Sequence, residues 1–168
     1  MLNPIKLFFA KQIKIHDILT ERGLFMKKFF IAAIFILSTA LPSFSGVDEV
    51  KQSIITQSKE MGVDPAIMLS LAKAESGFRQ EARGGQAVGV FQLLPATAKF
   101  LGVNPYDMND NVRGGIKYYK SMYNMFGTTE LALAAYNSGA MAVKRCNCIP
   151  GKSRPFVNKV MADSKFYK

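Results

Sequence analysis

Asp64-Pro65-Ala66-Ile67-Met68-Leu69-Ser70-Leu71-Ala72-Lys73-Ala74-Glu75-Ser76-Gly77 is the stretch on which the fold turns. Asp64 has the short acceptor side chain that suits an N-cap. Pro65 falls at the first helical position, where its missing N–H is no loss. From Ala66 to Ala74 apolar residues occupy most of the helix circumference, so this helix belongs in the middle of a domain. It runs out at Glu75, Ser76 and Gly77, which puts a carboxylic acid at the exit of a buried helix. Burial and the negative end of the helix dipole both disfavour the ionised form there, so the pKa of Glu75 is expected to rise. A carboxyl group still protonated near neutral pH is what donation to a glycosidic leaving oxygen requires.

Around this helix the pattern stays helical. Val50, Ile54, Ile55 and Met61 recur at three- to four-residue spacing and Gly62 follows, which predicts an amphipathic helix over 48–61. A Gly-rich loop runs from Arg79 to Gly89, with room for a small β-hairpin between residues 79 and 90. Pro95 opens a helix to Leu101 with Gly102 as its stop, and Asn104-Pro105 makes a turn. Further helices are expected over 111–126, over 130–136 behind the cap Thr128, over 140–145 and over 154–164. No alternating strand longer than four residues is present, so the fold class is mainly α.

The chain has 168 residues and a formal charge of +10, enough for one domain of ordinary size plus an extension. Its apolar content is uneven, with Phe8, Phe9, Phe25, Phe29, Phe30, Phe35 and Phe44 all ahead of Gly46. Met26-Lys27-Lys28, an uncharged apolar run from Phe29 to Leu41, and Pro42-Ser43-Phe44-Ser45 have the layout of a signal peptide over 26–45. Ser43 and Ser45 are the small residues a cleavage site needs, and the run is short for a bilayer span. The competing reading is a retained membrane tether, because the uncharged run continues to Val47. No cysteine follows it to carry a lipid. Residues 1–25 place Asp17 and Glu21 ahead of the positive residues, unlike a signal, and read either as an upstream extension with Met26 as the start or as a short cytoplasmic tail. The expectation is an exported, periplasmic protein that meets a membrane only through this segment, with its domain over 46–168.

Several chemistries drop out. The one histidine, His16, lies in the leading segment, so the exported part has no Ser-His-Asp, Cys-His or His-ligated metal centre. Cys146 and Cys148 are too few for a structural zinc site, and with one residue between them they suit either local packing or a labile disulfide. No metal and no cofactor is expected. From Gly46 onward the net charge is +6, which suits a polyanionic partner. The cationic residues are scattered, however, and no nucleic-acid motif accompanies them, so nucleic acid is not an expected partner.

Four segments then stand in a telling order: Glu75-Ser76-Gly77-Phe78; Gly89-Val90-Phe91-Gln92-Leu93-Leu94-Pro95-Ala96-Thr97-Ala98; Asn111-Val112-Arg113-Gly114-Gly115-Ile116-Lys117-Tyr118-Tyr119; and Ala132-Leu133-Ala134-Ala135-Tyr136-Asn137-Ser138-Gly139. With them the chain resembles the soluble lytic transglycosylase (SLT) family, bacterial enzymes with a lysozyme-like, goose-type domain that cleave peptidoglycan glycan strands. The resemblance covers roughly residues 50–160, and Arg154-Pro155-Phe156-Val157 is similar to the family's closing segment.

The resemblance implies that Glu75 is the sole catalytic acid, that Gln92 lines the glycan groove, and that Tyr136 and Asn137 form the tyrosine motif beside the acid. It also implies substrate contact at Phe91, which would wall the groove, and at Ser76. Gln92 has a second reading as a helix cap and Tyr136 as a core aromatic. Asn111 and Gly115 read as structural, a helix start and a close helix contact. Arg83-Gly84-Gly85-Gln86-Ala87 departs from the family's Ser-x-x-Gly-Ala, which puts the backbone conformation at Gln86 and a hydroxyl contact to substrate in doubt.

The implied reaction is cleavage of the bond between N-acetylmuramic acid and N-acetylglucosamine with formation of 1,6-anhydromuramyl ends; the protein is expected to be a monomer. Small exported members of the family often serve a secretion, conjugation or pilus apparatus. Two other readings compete: a hydrolysing muramidase with Glu81 as second carboxylate, and a non-enzymatic glycan-binding or assembly protein.

Overall fold

The computed structural model describes residues 46–168; the expected signal segment 26–45 and the extension 1–25 lie outside the described residues. The order of elements is α1 (Gly46–Glu60), α2 (Pro65–Ser76), a hairpin of β1 (Arg83–Gly84) and β2 (Ala87–Val88), α3 (Pro95–Leu101), α4 (Met108–Phe126), α5 (Thr129–Ser138), α6 (Ala140–Cys146) and α7 (Arg154–Ser164). Short 3-10 turns, Gly151–Ser153 and Lys165–Tyr167, flank α7. The mainly α architecture with one small hairpin is the one expected.

The middle of this unit is α2, buried around its circumference from Ala66 to Ala72. Asp64 caps it, accepting the Ala66 N–H at 2.8 Å, and the Gly77 N–H closes it on the Lys73 carbonyl at 3.1 Å. Met68, Leu71 and Ala72 pack in one cluster with Ile54 of α1, Ile116 of α4, Leu133 of α5 and Val160 of α7, all fully buried. Each such Leu or Ile contributes about 2 kcal/mol by leaving water. α2 is therefore a fixed post for the residue at its C-terminal end.

The hairpin pairs Arg83 with Val88 and Gly84 with Ala87 in antiparallel register. Its two-residue turn is Gly85-Gln86, with φ +60 at Gly85 and no positive φ at Gln86, the pattern of a type II′ turn. Gly85 takes up the left-handed conformation, so Gln86 sits in the turn without distorting it.

α4 begins three residues earlier than expected. The Asp107 carboxylate accepts the Asp110 N–H at 2.8 Å and so caps the helix at Met108. Asn111 is consequently not a helix start but a fully buried residue of the first turns. Its side chain accepts the Phe91 N–H at 2.8 Å and donates to the carbonyls of Val88 at 2.8 Å and Pro105 at 2.9 Å. Gly89, at φ +82, lies so close that a Cβ there would stand 2.3 Å from the Asn111 amide nitrogen. Only glycine fits. Gly115 is a close-contact residue as expected, but the group that approaches it is the Phe91 ring from a loop, not a neighbouring helix. Cys146 and Cys148 are joined as a disulfide across Asn147, which ends α6 in the left-handed conformation.

Candidate active site

Glu75 occupies the last turn of α2, half-buried. Burial raises its pKa from the ordinary 4.5 to about 7. None of the ion pairs among the described residues involves it, so nothing offsets the cost of charging it. At neutral pH it is divided between acid and carboxylate, which lets one group give a proton and later take one.

The loop that follows the hairpin is held against this helix end from three directions. The Ser76 hydroxyl, beside Glu75, donates to the Val90 carbonyl at 2.8 Å. Asn111 accepts the Phe91 N–H, and the Tyr136 hydroxyl donates to the Phe91 carbonyl at 2.8 Å. Val88 and Leu93 close the loop with a reciprocal pair of backbone bonds at 3.0 Å. Val90, Phe91 and Leu93 turn inward and are buried, which leaves Gln92, at φ +47, with its side chain outside the core. A non-glycine residue held in that region stores backbone strain, which the surrounding bonds must offset. The Gln92 amide donates to the carbonyls of Gly89 at 2.9 Å and Ala82 at 3.2 Å, which turns its carbonyl end the other way.

Gln92, Tyr136 and Asn137 then line one groove of about 310 Å³, together with Tyr118, Leu94 and Thr97. Tyr118 packs edge-on against Tyr136, ring centroids 5.0 Å apart. Burial, then the nearby Glu75 carboxylate, then Tyr118 push the Tyr136 phenol well above its ordinary 10. Tyr136 therefore stays a donor, and Glu75 lies within electrostatic reach of it although it is not itself a lining residue of the groove. Asn137 is exposed and accepts the Ser153 hydroxyl at 3.0 Å, which ties the groove wall to the turn before α7.

The transglycosylase SLT domain family matches residues 52–154 of the chain, a span that contains Glu75, Gln92, Tyr136 and Asn137. The chain belongs to the transglycosylase SLT domain family. It is 31% identical over 125 residues to a transglycosylase of Enterobacteria phage PRD1, a match that takes in 71% of this chain and 47% of that protein. The chain thus spans about half the length of this curated relative. Its fold is shared with the 70 kDa soluble lytic transglycosylase SLT70 of Escherichia coli, at TM-score 0.63 and 21% identity over 69% of this chain and 23% of that one. An inactive variant of lytic transglycosylase Slt from Pseudomonas aeruginosa gives TM-score 0.63 and 22% identity over 87% of this chain and 29% of its own. The lysozyme-like arrangement expected from the motifs is the one these enzymes have.

Within this SLT domain two expected substrate contacts are corrected. Phe91 does not wall the groove: its side chain is 0% exposed and packed on Gly115. Ser76 is 4% exposed, and its hydroxyl is used up by the Val90 carbonyl and the Arg79 N–H. Both are scaffold for the loop. Tyr118 and Leu94 line the groove unannounced by the sequence. Tyr118 adjoins the core residue Tyr119 on α4, and periodicity alone does not single it out. Glu81, the other acidic residue considered, is exposed and borders a separate depression with Val47, Phe78 and Gln80.

Proposed function

We propose that this SLT domain is a peptidoglycan lytic transglycosylase in which Glu75 acts first as general acid and then as general base. The observation that carries the reading is a carboxyl group raised to about 7 by burial beside a groove whose lining residues include no acid. A hydrolase of the usual kind needs a second carboxylate to act as nucleophile or to activate water.

Protonated Glu75 gives its proton to the oxygen between C1 of N-acetylmuramic acid and C4 of N-acetylglucosamine, and the C1–O bond breaks. The N-acetyl oxygen of the muramyl residue supports C1. The Glu75 carboxylate then takes the proton of the muramyl C6 hydroxyl, O6 bonds to C1, and the 1,6-anhydro ring closes. Glu75 ends protonated as it began, and no water is consumed. Tyr136 holds the loop that carries Gln92, and Gln92 and Asn137 offer amides to the glycan.

Digestion of purified peptidoglycan with the protein tests this. Muropeptides are expected to be lighter by one water than hydrolysis products. Ordinary reducing ends would replace the reading with a hydrolysing muramidase, and binding without release would replace it with a glycan-binding protein.

A peptidoglycan substrate, which lies outside the cytoplasm, supports reading the protein as exported. On this reading 26–45 directs export to the periplasm, and the enzyme opens the wall locally, in the service of a secretion, conjugation or pilus apparatus. The exported protein should begin at Gly46 on N-terminal sequencing; recovery of Lys27 or Lys28 would make the segment a membrane tether.

A further inference from the structure

α2 has Glu75 at one end and a second cavity at the other. Asp64 and Ile67 border that cavity, and Asp64 precedes Glu75 by eleven positions, about 16 Å along the helix axis. At about 440 Å³ it is larger than the 310 Å³ groove beside the acid. Its aromatic wall comes from α4, where Tyr119 and Tyr123 stand one turn apart with ring centroids 6.4 Å apart. Tyr119 is buried. Tyr123 is 43% exposed, so its ring offers surface to the cavity.

Polar groups stand around that ring. The Lys120 ammonium donates to the Met61 carbonyl at 2.6 Å and retains two further N–H donors. Asn124 brings an exposed carboxamide, and Lys168 a second ammonium. Asp64 at the rim already accepts the Ala66 N–H. An aromatic face ringed by amide and ammonium donors selects a ligand that is apolar on one ring face and rich in acceptors at its edge.

We propose that this cavity is a second, non-catalytic saccharide site that takes an N-acetylated sugar ring, a unit of the peptidoglycan strand. The choice of polymer rests on the proposed function; the separation from Glu75 does not. A sugar held here cannot reach the acid, so the site binds a different stretch of wall from the one being cut. Holding the protein to an insoluble polymer raises the effective concentration of further strand at the groove.

The test uses the protein with Glu75→Gln, so that the wall is bound and not digested, in co-sedimentation with purified sacculi. Adding Tyr123→Ala should weaken binding about tenfold, the scale of one lost stacked ring, and Tyr123→Phe should restore it. In otherwise unaltered protein, Tyr123→Ala should slow release from sacculi and leave turnover of a soluble glycan oligosaccharide unchanged. Failure of the unaltered protein on that oligosaccharide would count against the proposed function alone, since sedimentation is read without catalysis. Equal sedimentation with and without Tyr123→Ala overturns the site. If Tyr123→Ala lowers the melting temperature, a disaccharide–peptide titrated into the Glu75→Gln protein decides: NMR shifts at Tyr123 and Asn124 are expected, and unmoved resonances overturn it. Single-stranded DNA that binds through Tyr123 while the disaccharide–peptide does not would also overturn it.

Discussion

Glu75→Gln is expected to abolish turnover and, above pH 7, to stabilise the fold. The amide keeps the shape of the carboxyl but cannot donate the proton, and loss of general acid–base catalysis alone costs about 10² to 10⁴ in rate. The stability effect follows from burial, the cause that raises the Glu75 pKa from 4.5 to about 7. A group whose folded-state pKa is raised holds its proton more tightly when folded. That contribution is complete below about pH 4.5 and is lost as pH rises through about 7, at most about 3 kcal/mol in all. Glutamine never charges, so the variant escapes the loss. Melting temperature against pH should fall for the parent protein between pH 5 and 8 and run flatter for Glu75→Gln, with the variant higher at pH 8. Parallel curves would mean that Glu75 is not buried as described. Activity of the parent on the acid-dependent step should decline over the same range, as the proton donor is titrated away.

Gly115→Ala should be among the most damaging single-methyl changes in the domain. A Cβ there would stand 2.2 Å from Cγ and 2.6 Å from Cβ of Phe91. The Phe91 ring has no exposed surface, and its backbone is held at the N–H by Asn111 and at the carbonyl by Tyr136. Neither the ring nor the loop has room to move. Overpacking of this kind costs about 3 kcal/mol, read as a lower urea midpoint with little change in slope. What remains folded should also lose turnover, because displacing Phe91 moves Gln92 and removes the acceptor of Tyr136. Gly115→Ala with Phe91→Leu should recover part of the stability, since the two changes meet in one contact. Unaltered stability in Gly115→Ala would refute the packing described for this loop.

Much of the scaffold was legible because its causes are local. Asp64, Pro65, Pro95 and Thr128 mark helix starts by their own backbone chemistry, and apolar spacing supplies the rest. The end of α7 and both ends of α3 fall where expected. The start of α4 does not: Asp107 is the cap used, in a stretch where Asn104, Asp110 and Asn111 are equally eligible by residue type. Glu75 was legible for a related reason. A helix apolar around its circumference must be buried, and a carboxyl at its end shares that burial.

The groove was legible only through resemblance, and there imperfectly. Phe91 and Leu94 are both apolar loop residues, and no periodicity says which one faces inward. The structure buries Phe91 and exposes Leu94. By itself, then, the sequence determined where the helices run, the caps at Asp64 and Thr128, and the apolar circumference of α2 with an acid at its exit, since each is written within about one or two helical turns. Tertiary structure decided the course of the loop from Val88 to Leu93. Its three anchors, Ser76 to Val90, Asn111 to Phe91 and Tyr136 to Phe91, span 14, 20 and 45 residues. Bonds over such separations form only once the core has brought α2, α4 and α5 together.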